Sequence, residues 1–379
     1  MPNNLPSNGV LGSMSEDFGR AAEMIKKCLA ARSPMLLRHH GDCDGICAAL
    51  SVYSSSKSML GEKEWEGYRK KMLIFNNHSA IYTLRSVLDD MELIRNMQPA
   101  SAPLAVLLDF SVNLESIDSL NALKKSNFNI LIVDHHPLVP GIKEMATLLV
   151  TPWLHGGNSD YSAGFIAGEI AKKIKQFDGI EELQEIALIG DKSKLLTRHE
   201  EELERKALVL DFMASSSEFA ESLEVYSSVL KNPQNINSIY NRAMKKLELV
   251  KKDAMRYSKL KELSNGFRLV LVKLDKVRSG EFPARGRICG EVHEEYDRKL
   301  DAPLVTIAYE EGVMHFRANG KARAAGFNAN QLIGELKSEM TDAIESGGGH
   351  DVAAGLRIRK GFDRMVLEEI TKKVGDIGK

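Results

Sequence analysis

Short apolar runs alternate with amphipathic helical stretches along the first half of the chain. In residues 17–29, for example, Ala21, Ile25 and Leu29 recur at the helical period. The apolar runs are typical of strands that are buried on both faces of a parallel sheet. They comprise residues 35–37, 72–75, 104–108 and 130–133. The pattern predicts an α/β domain with ligand sites at the carboxyl ends of its strands.

The second half of the chain has a different pattern. Residues 191–263 are charged and helical, and strand-like runs return at 268–272 and 304–307 before a glycine cluster. We expect a helical connector followed by a second, smaller α/β domain. The predicted segments are a disordered tail at 1–15, the first α/β domain at 16–195, the connector at 196–264 and the second domain at 265–379.

Composition narrows the class of protein. The 51 basic and 52 acidic side chains nearly balance, which argues against a general polyanion-binding surface, so any nucleic-acid contact should be local. The four cysteines form no CxxC pair and suit reduced thiols in a cytoplasmic protein. No apolar run approaches the length of a membrane span, and the N-terminus does not resemble a signal peptide. We therefore expect a cytoplasmic protein without a membrane partner.

Carboxylates and imidazoles follow several of the predicted strands and helices. In an extended segment alternate side chains point the same way, so the three groups after the first run can converge. Elements of a parallel sheet bring the others to the same edge. These groups are His40, Asp42 and Asp44 after the first run, Asp109 after the third, Asp134, His135 and His136 after the fourth, and Asp191 after a later helical segment.

So many carboxylates close together repel one another, and burial without a compensating charge would raise their pKa values. Two divalent cations would resolve this conflict. Bridging carboxylates can hold two ions roughly 3.5–4 Å apart, a spacing that suits in-line substitution at phosphorus. Mixed imidazole and carboxylate ligands favour Mn²⁺, with Mg²⁺ and zinc as alternatives.

These motifs resemble those of the DHH phosphoesterase superfamily, which is named for the triplet found here at 134–136. The resemblance extends to RecJ-like exonucleases and nanoRNases, whose DHH-associated domain carries a Gly-Gly-Gly-His signature like that at 347–350. It implies a parallel-sheet metal-binding domain and covers about 33–361, in a compact form similar to archaeal relatives. The metal ligands it implies are His40, Asp42, Asp44, Asp109, His135 and Asp191. Asp42 and Asp44 would bind different ions, and Asp109 and Asp191 would bridge them.

The resemblance also implies roles around the substrate. His136 would contact the scissile phosphate, and Asp134 would orient a neighbouring ligand imidazole. The implied substrate-binding residues are Arg317, Gly347, Gly348, Gly349 and His350. Further phosphate contacts could come from Arg285, Arg287, Lys321 and Arg323. Family members often carry Ser-x-Arg where this chain has His315-Phe316-Arg317, so the serine's contact has no counterpart here.

Three functions are compatible with these residues. The first is a RecJ-like exonuclease that releases nucleotides from single-stranded DNA or RNA by two-metal hydrolysis. The second is a nanoRNase or bisphosphate phosphatase for very short oligonucleotides or dinucleotides, which an aromatic content of 6% slightly favours because stacking platforms are few. The third is a replication-fork scaffold without catalysis. The resemblance also suggests replication-fork or repair proteins as partners.

Overall fold

The structure is a computed structural model that describes residues 5–6, 9–77, 82–110, 116–196, 200–219, 222–278 and 280–378. The chain divides into two compact units, Met1–Tyr240 and Asn241–Lys379. None of the described helices combines the length and the apolarity needed to cross a membrane. The predicted α/β class is confirmed, because each unit contains a sheet covered by helices.

The sheet of the first unit is parallel throughout, with the strand order β2-β1-β3-β4-β5. Its strands are β1 (Met35–His40), β2 (Met72–Asn77), β3 (Leu104–Leu108), β4 (Asn129–Val133) and β5 (Leu148–Val150). The four predicted runs all form strands. In the middle of the sheet, Leu36 and Leu37 are both fully buried although they face opposite ways, which explains why the run is continuously apolar.

Helices cover both faces of this sheet. One face packs against α4 and α5, and α1, α2 and α7 contact the strands from the other side. The helices of this part of the chain are α1 (Gly9–Ala30), α2 (Cys43–Leu60), α3 (Glu62–Tyr68), α4 (Leu84–Asn96), α5 (Ile117–Lys125), α6 (Ile142–Met145), α7 (Ala163–Ile174), α8 (Ile180–Gly190), α9 (Glu201–Ser215) and α10 (Leu223–Leu230).

The first helix begins earlier than the sequence pattern predicts. Residues 9–15 belong to α1, so the expectation of a disordered tail is wrong for them. Met14 and Phe18 are buried, one turn apart and in line with Ala21 and Ile25. The apolar stripe therefore starts about one turn before residue 17, where the predicted helical pattern begins. The serines and glycine next to Met14 make this first turn look like a polar loop in the sequence.

The predicted helical connector is divided between the two units. A long helix, α11 (Pro233–Arg256), runs across the boundary between Tyr240 and Asn241. The stretch Ser258–Glu262, expected to be part of the connector, is instead strand β6 of the second sheet. Four of its five residues are exposed, so this edge strand lacks the alternation of apolar and polar residues that would have identified it.

The second unit is built on a mixed sheet with the strand order β10-β11-β9-β8-β7-β6. Its strands β7 (Arg268–Lys273) and β8 (Leu304–Glu310) pair in parallel, and the other neighbours are antiparallel. The remaining elements are α12 (Arg285–Asp297), β9 (Val313–Ala318), α13 (Gly320–Ala324), α14 (Ala329–Glu339), β10 (Ile344–Gly349), β11 (Ala353–Ile358) and α15 (Asp363–Asp376). One core lies under α14 and α15, and the other under α12 and the end of α11.

Candidate functional site

The carboxyl ends of three neighbouring strands meet at one edge of the first sheet. The pairing of β1, β3 and β4 places His40, Asp109 and Asp134 side by side at this edge. The apolar runs position these polar groups, because a strand that is buried on both faces can release polar side chains only at its end.

The turn after β1 is fixed by a helix cap. Asp42 caps α2, and its Oδ1 accepts a hydrogen bond from the Gly45 amide at 3.0 Å. Its other oxygen lies 2.7 Å from Nδ1 of His40. A Cβ on Gly45 would approach the His40 carbonyl oxygen to 2.3 Å, so only glycine lets the chain turn this tightly at that point.

Asp44 lies in the first turn of α2 and is 1% exposed. Its two carboxylate oxygens accept the amides of Ala163 and Gly164, each at 2.8 Å, at the N-terminus of α7. A Cβ on Gly164 would come within 2.9 Å of Asp44 Oδ1. The missing side chain therefore allows the start of α7 to hold this carboxylate in place.

Asp109 is buried directly after β3 and has a φ of 57°, a region that residues other than glycine adopt rarely. Its Oδ1 is buried and makes no hydrogen bond within the part of the chain that the structure describes. The nearest imidazole nitrogens are His135 Nε2 and His40 Nδ1, each 3.5 Å from one of its oxygens. A buried carboxylate oxygen without a hydrogen bond fits a ligand atom for a cation.

The Asp-His-His triplet follows β4. Asp134 Oδ1 accepts the amide of His136 at 3.2 Å and its ring Nδ1–H at 2.8 Å. His135 instead donates from Nδ1 to the Ser159 carbonyl at 2.8 Å. This leaves His135 Nε2 facing Asp191 Oδ2 at 3.2 Å. The structure therefore has Asp134 orient His136, and a backbone carbonyl rather than Asp134 sets the tautomer of His135.

Asp191 comes from outside the sheet, at the C-terminal cap of α8. Its carboxylate approaches the site because α8 packs closely on α2. A Cβ on Gly190 would lie 2.8 Å from both the Cβ and the Sγ of Cys43. A second close contact fixes the start of α2, since the amide of Cys43 donates to Asp211 of α9 at 2.9 Å.

The charges in this site are unbalanced. Burial raises the pKa of Asp44 well above its usual range, and the neighbouring Asp191 and Asp109 raise it further. Burial likewise raises the pKa of Asp191 to about 7, although His135 opposes the shift. Burial would also raise the pKa of Asp109, but His135 and His40 outweigh burial and lower it.

The two imidazoles partly neutralise the carboxylates. Burial alone would lower the pKa values of His40 and His135, but the adjacent carboxylates outweigh burial and raise both well above the ordinary range. Protons on these rings therefore supply positive charge in the absence of another cation. A divalent ion could replace those protons, because neutral imidazoles and ionised carboxylates are metal ligands.

Among the residues that the structure describes, three overlapping groups of side chains could each hold a metal ion, with ligand atoms within 4.8 Å of one another. All six predicted metal ligands occur in them, together with His136. Asp109 and His135 each belong to two groups, whereas Asp191 belongs to one. The groups are Asp109, His135 and His136; His40, Asp42 and Asp109; and Asp44, His135 and Asp191. The donor set and the unpaired Asp109 oxygen fit divalent cations.

Several residues that shape this site were not predicted. The indole Nε1–H of Trp153 and the hydroxyl of Ser159 both donate to the His135 carbonyl, at 2.9 and 2.7 Å. Asn76, near the end of β2, has a buried amide without a hydrogen bond among the described residues, and a Cβ on Gly41 would lie 2.4 Å from its Oδ1. These contacts depend on tertiary packing, and the signal that the sequence offers is that Asn76 follows the apolar run at 72–75.

Most of the predicted substrate-binding residues of the second unit lie on strands β9 and β10, on either side of β11. Arg317 on β9 pairs with Ala353 on β11, and the glycine triplet lies on β10, the next strand. The glycines belong to a strand. A Cβ on Gly347 would lie 2.9 Å from the Gly355 carbonyl oxygen, and Gly349 has a φ of 144°, so packing against β11 requires them. His350 follows directly and donates its amide to Ala353 at 2.7 Å.

In the second unit, Arg317 lies beside glycines of α12 and beside His315. Helix α12 has glycines at 286 and 290, next to the Arg317 guanidinium. A Cβ on Gly286 would lie 3.8 Å from the guanidinium, and one on Gly290 would lie 3.7 Å from it. The helix therefore presents bare backbone to Arg317. Burial, reinforced by Arg317 and Arg285, lowers the pKa of His315 to about 4.

The additional basic residues proposed as phosphate contacts have carboxylate partners. Arg285 contacts Glu310 at 2.9 Å, and Arg323 contacts Asp351 at 2.7 Å. Arg287 is 3.8 Å from Glu291, and Lys321 pairs with Asp301. These ion pairs weaken the expectation that the four side chains bind phosphate, because each cation would have to exchange its partner.

Two family models match the chain. The model of the DHH family, N-terminal domain, matches residues 35–190, and that of the DHHA1 domain matches residues 273–377. This chain belongs to the DHH phosphoesterase superfamily. The resemblance drawn from the sequence motifs is thus confirmed, and the metal-centre residues up to His136 and the Gly-Gly-Gly-His segment lie within the matched ranges.

Similar proteins extend this comparison. An uncharacterized protein of Methanocaldococcus jannaschii is 25% identical over 418 aligned positions, which cover 96% of this chain and 54% of that protein, so the chain spans about half its length. The DHH domain of a protein described as a member of a ribosomal-protein family has a TM-score of 0.89 at 26% identity, covering 99% of this chain and 94% of that one. RecJ from Thermus thermophilus, in complex with Mn²⁺, has a TM-score of 0.57 at 13% identity, covering 94% and 54%, which shows a shared fold.

Proposed function

We propose that this DHH chain is a metal-dependent phosphodiesterase that releases nucleotides from single-stranded DNA or RNA. The observation that carries the proposal is the set of three overlapping ligand groups at one sheet edge. Asp109 takes part in two of them, as expected for a carboxylate shared by two ions. The preferred ions are two Mn²⁺, with Mg²⁺ as the alternative, because the ligands mix imidazole with carboxylate.

The side chains of this centre divide the work. When bound, the divalent ions would supply positive charge to the phosphate and its attacking and leaving oxygens. Asp44, fixed by the amides at the start of α7, and Asp109 would keep their oxygens in place without rearrangement. His135 would present Nε2 inward, because its Nδ1–H is committed to the Ser159 carbonyl.

His136 would act on the substrate rather than only as a ligand. Its Nδ1–H is held by Asp134, so a second proton on Nε2 would make the ring a donor to a phosphate oxygen. The same proton could pass to the leaving oxygen as the phosphodiester bond breaks. Asp134 would stabilise the doubly protonated ring. Although burial alone would raise the pKa of Asp134, the charge of His136 and its hydrogen bond outweigh burial and lower it.

The test is hydrolysis by the purified full-length chain with Mn²⁺ and end-labelled single strands of DNA and RNA, about twenty nucleotides long. We expect stepwise release of mononucleotides, loss of release in Asp109→Asn, and retention in Asp118→Asn, a variant of an exposed carboxylate on α5. Absence of release from either strand at either end would reject the exonuclease. Strong preference for dinucleotides over long strands would support the short-substrate alternative instead.

A further inference from the structure

One aromatic side chain that is hydrogen-bonded to the backbone of the metal centre is partly exposed. The protein has two tryptophans. Trp65 is 1% exposed, whereas Trp153 is 36% exposed. Trp153 lies in a short 3-10 helix, Pro152–His155, directly after β5 and Thr151. Burying an indole normally stabilises the folded protein, so the partial exposure of Trp153 calls for an explanation.

The polar edge of this indole is fixed to the metal centre. Nε1 donates to the carbonyl oxygen of His135 at 2.9 Å, and the same oxygen accepts from Ser159 at 2.7 Å. The 3-10 helix is also held at its far end, where His155 Nε2 contacts Asp17 at 2.9 Å. The only polar atom of the indole is thereby used, and what it offers to solvent is apolar ring.

The anchor ties this ring to the backbone of the metal centre. His135 is a member of two of the three ligand groups, and the peptide whose carbonyl holds the indole joins His135 to His136. The rings of these two histidines are 4.6 Å apart. The indole is thus hydrogen-bonded to the peptide that precedes His136, the proposed phosphate-binding residue.

We infer that Trp153 is a base-stacking platform that holds a nucleobase of the substrate next to the metal centre. This inference rests on the proposed function and adds the side chain that would hold the base of the nucleotide at the metal centre. A flat, immobilised π-surface matches the face of any base and costs little conformational entropy on binding. Inorganic phosphate chains or sugar phosphates alone would gain nothing from it.

A protein partner would be the other use for exposed apolar surface here, since Leu154 and Leu138 are 38% and 42% exposed. The observations favour a base, because the indole is held by the backbone of a candidate ligand rather than by an outlying loop. The neighbouring Leu154 offers a matched control on the same 3-10 helix. It is equally exposed but has no π-face.

The first test reads stacking directly from tryptophan fluorescence. The full-length protein with Mg²⁺ is titrated with adenosine 5′-monophosphate and, in parallel, with ribose 5-phosphate, which has the same phosphate but no base. We expect the nucleotide to quench the emission and the sugar phosphate to leave it unchanged, since the buried Trp65 contributes a constant signal. Emission that stays constant at nucleotide concentrations that inhibit dinucleotide hydrolysis would overturn the inference.

The second test uses steady-state kinetics on a dinucleotide with Trp153→Phe, Trp153→Leu and Leu154→Ala. Trp153→Leu should raise KM about 5- to 150-fold, the range for loss of one base–aromatic stack, with a smaller effect on kcat. Trp153→Phe keeps a π-face but loses the N–H, so it should retain most of the affinity. Leu154→Ala should stay within about twofold of the natural protein.

Other outcomes separate the platform from the proposed function. If Trp153→Phe and Trp153→Leu lower kcat equally and leave KM unchanged, the indole only positions His135 through its hydrogen bond. That result would overturn the inference that Trp153 stacks on a base. A KM within about twofold of the natural protein in Trp153→Leu would also overturn it while leaving the phosphodiesterase intact. Quenching by the nucleotide in a protein that cuts no nucleic acid would support the platform and defeat the proposed function.

Discussion

Replacing Asp90 by Asn should destabilise the first unit strongly, because it breaks a buried ion pair beneath the metal centre. Arg38, two residues before His40 on β1, binds Asp90 through two hydrogen bonds of 2.6 Å each. The side chains are 9% and 1% exposed. Tyr82 adds a third hydrogen bond to Asp90 at 2.5 Å, and the guanidinium lies 4.6 Å from the ring centroid of Phe75.

The magnitude follows from the burial of both charges. Removing one partner of a buried ion pair typically costs about 3–5 kcal/mol, because the remaining charge is left uncompensated. Asn keeps the shape and one acceptor, so we expect about 3 kcal/mol, a large share of a domain stability of roughly 5–15 kcal/mol. Replacing both residues, as Arg38→Met with Asp90→Leu, should cost much less than either single change, apart from about 1 kcal/mol for the lost Tyr82 hydrogen bond.

The assay is urea unfolding followed by tryptophan fluorescence. Both tryptophans lie in the first unit, so their emission reports on the unfolding of that unit. The control is Asp89→Asn, an exposed neighbour on α4, which should change stability by less than about 0.5 kcal/mol. A stability for Asp90→Asn within about 1 kcal/mol of the natural protein would refute the reasoning, as would a double variant that is less stable than Asp90→Asn.

Three further outcomes follow from the geometry. Gly45→Ala should lower the free energy of unfolding by about 1–3 kcal/mol and weaken Mn²⁺ binding, because its Cβ would meet the His40 carbonyl oxygen at 2.3 Å. Urea unfolding and an Mn²⁺ titration measure the two effects. In the control Gly67→Ala the new Cβ meets nothing within 4 Å, so stability should be unchanged or raised and Mn²⁺ binding unchanged. Because burial and Arg317 lower the pKa of His315 to about 4, its ring takes up a proton on unfolding below about pH 6.5, which should cost the natural protein about 2 kcal/mol of stability from pH 7 to pH 5. Circular dichroism in urea should show this loss as the difference between the natural protein and His315→Asn, since all other titrating groups are common to both. Arg317→Ala should raise KM for an oligonucleotide more than it lowers kcat, and the reverse pattern would contradict a role in binding.

Much of the first unit could be predicted from the sequence, because the apolar runs and the polar residues that end them indicate the same sheet edge. A strand such as β3 is buried on both faces, so its apolar run is unmistakable, and the polar residue that ends it, Asp109, must come out at the sheet edge. The ordered series of such residues led to the predicted ligand set, whose members the structure places close together. By contrast, β5 has three residues, too few to carry a periodic signal.

The remaining features arise from tertiary contacts that have no local signature. The glycines at 164 and 190 resemble ordinary helical residues in the sequence, yet their missing side chains let α7 and α8 approach the metal centre. The hydrogen bond from His135 to the Ser159 carbonyl joins residues 24 positions apart. The glycine triplet gives no strand signal in the sequence, because a strand without side chains shows no alternation, yet its packing against β11 requires glycine.

The most direct test of the metal centre is a calorimetric titration of the metal-free, full-length protein with Mn²⁺. We expect close to two ions per chain, and loss of tight binding in Asp109→Asn, because that carboxylate belongs to two of the ligand groups. Asp118→Asn should bind like the natural protein. A protein that binds no Mn²⁺, or an Asp109→Asn variant that binds it as the natural protein does, would contradict the assignment of these side chains to a shared two-ion site.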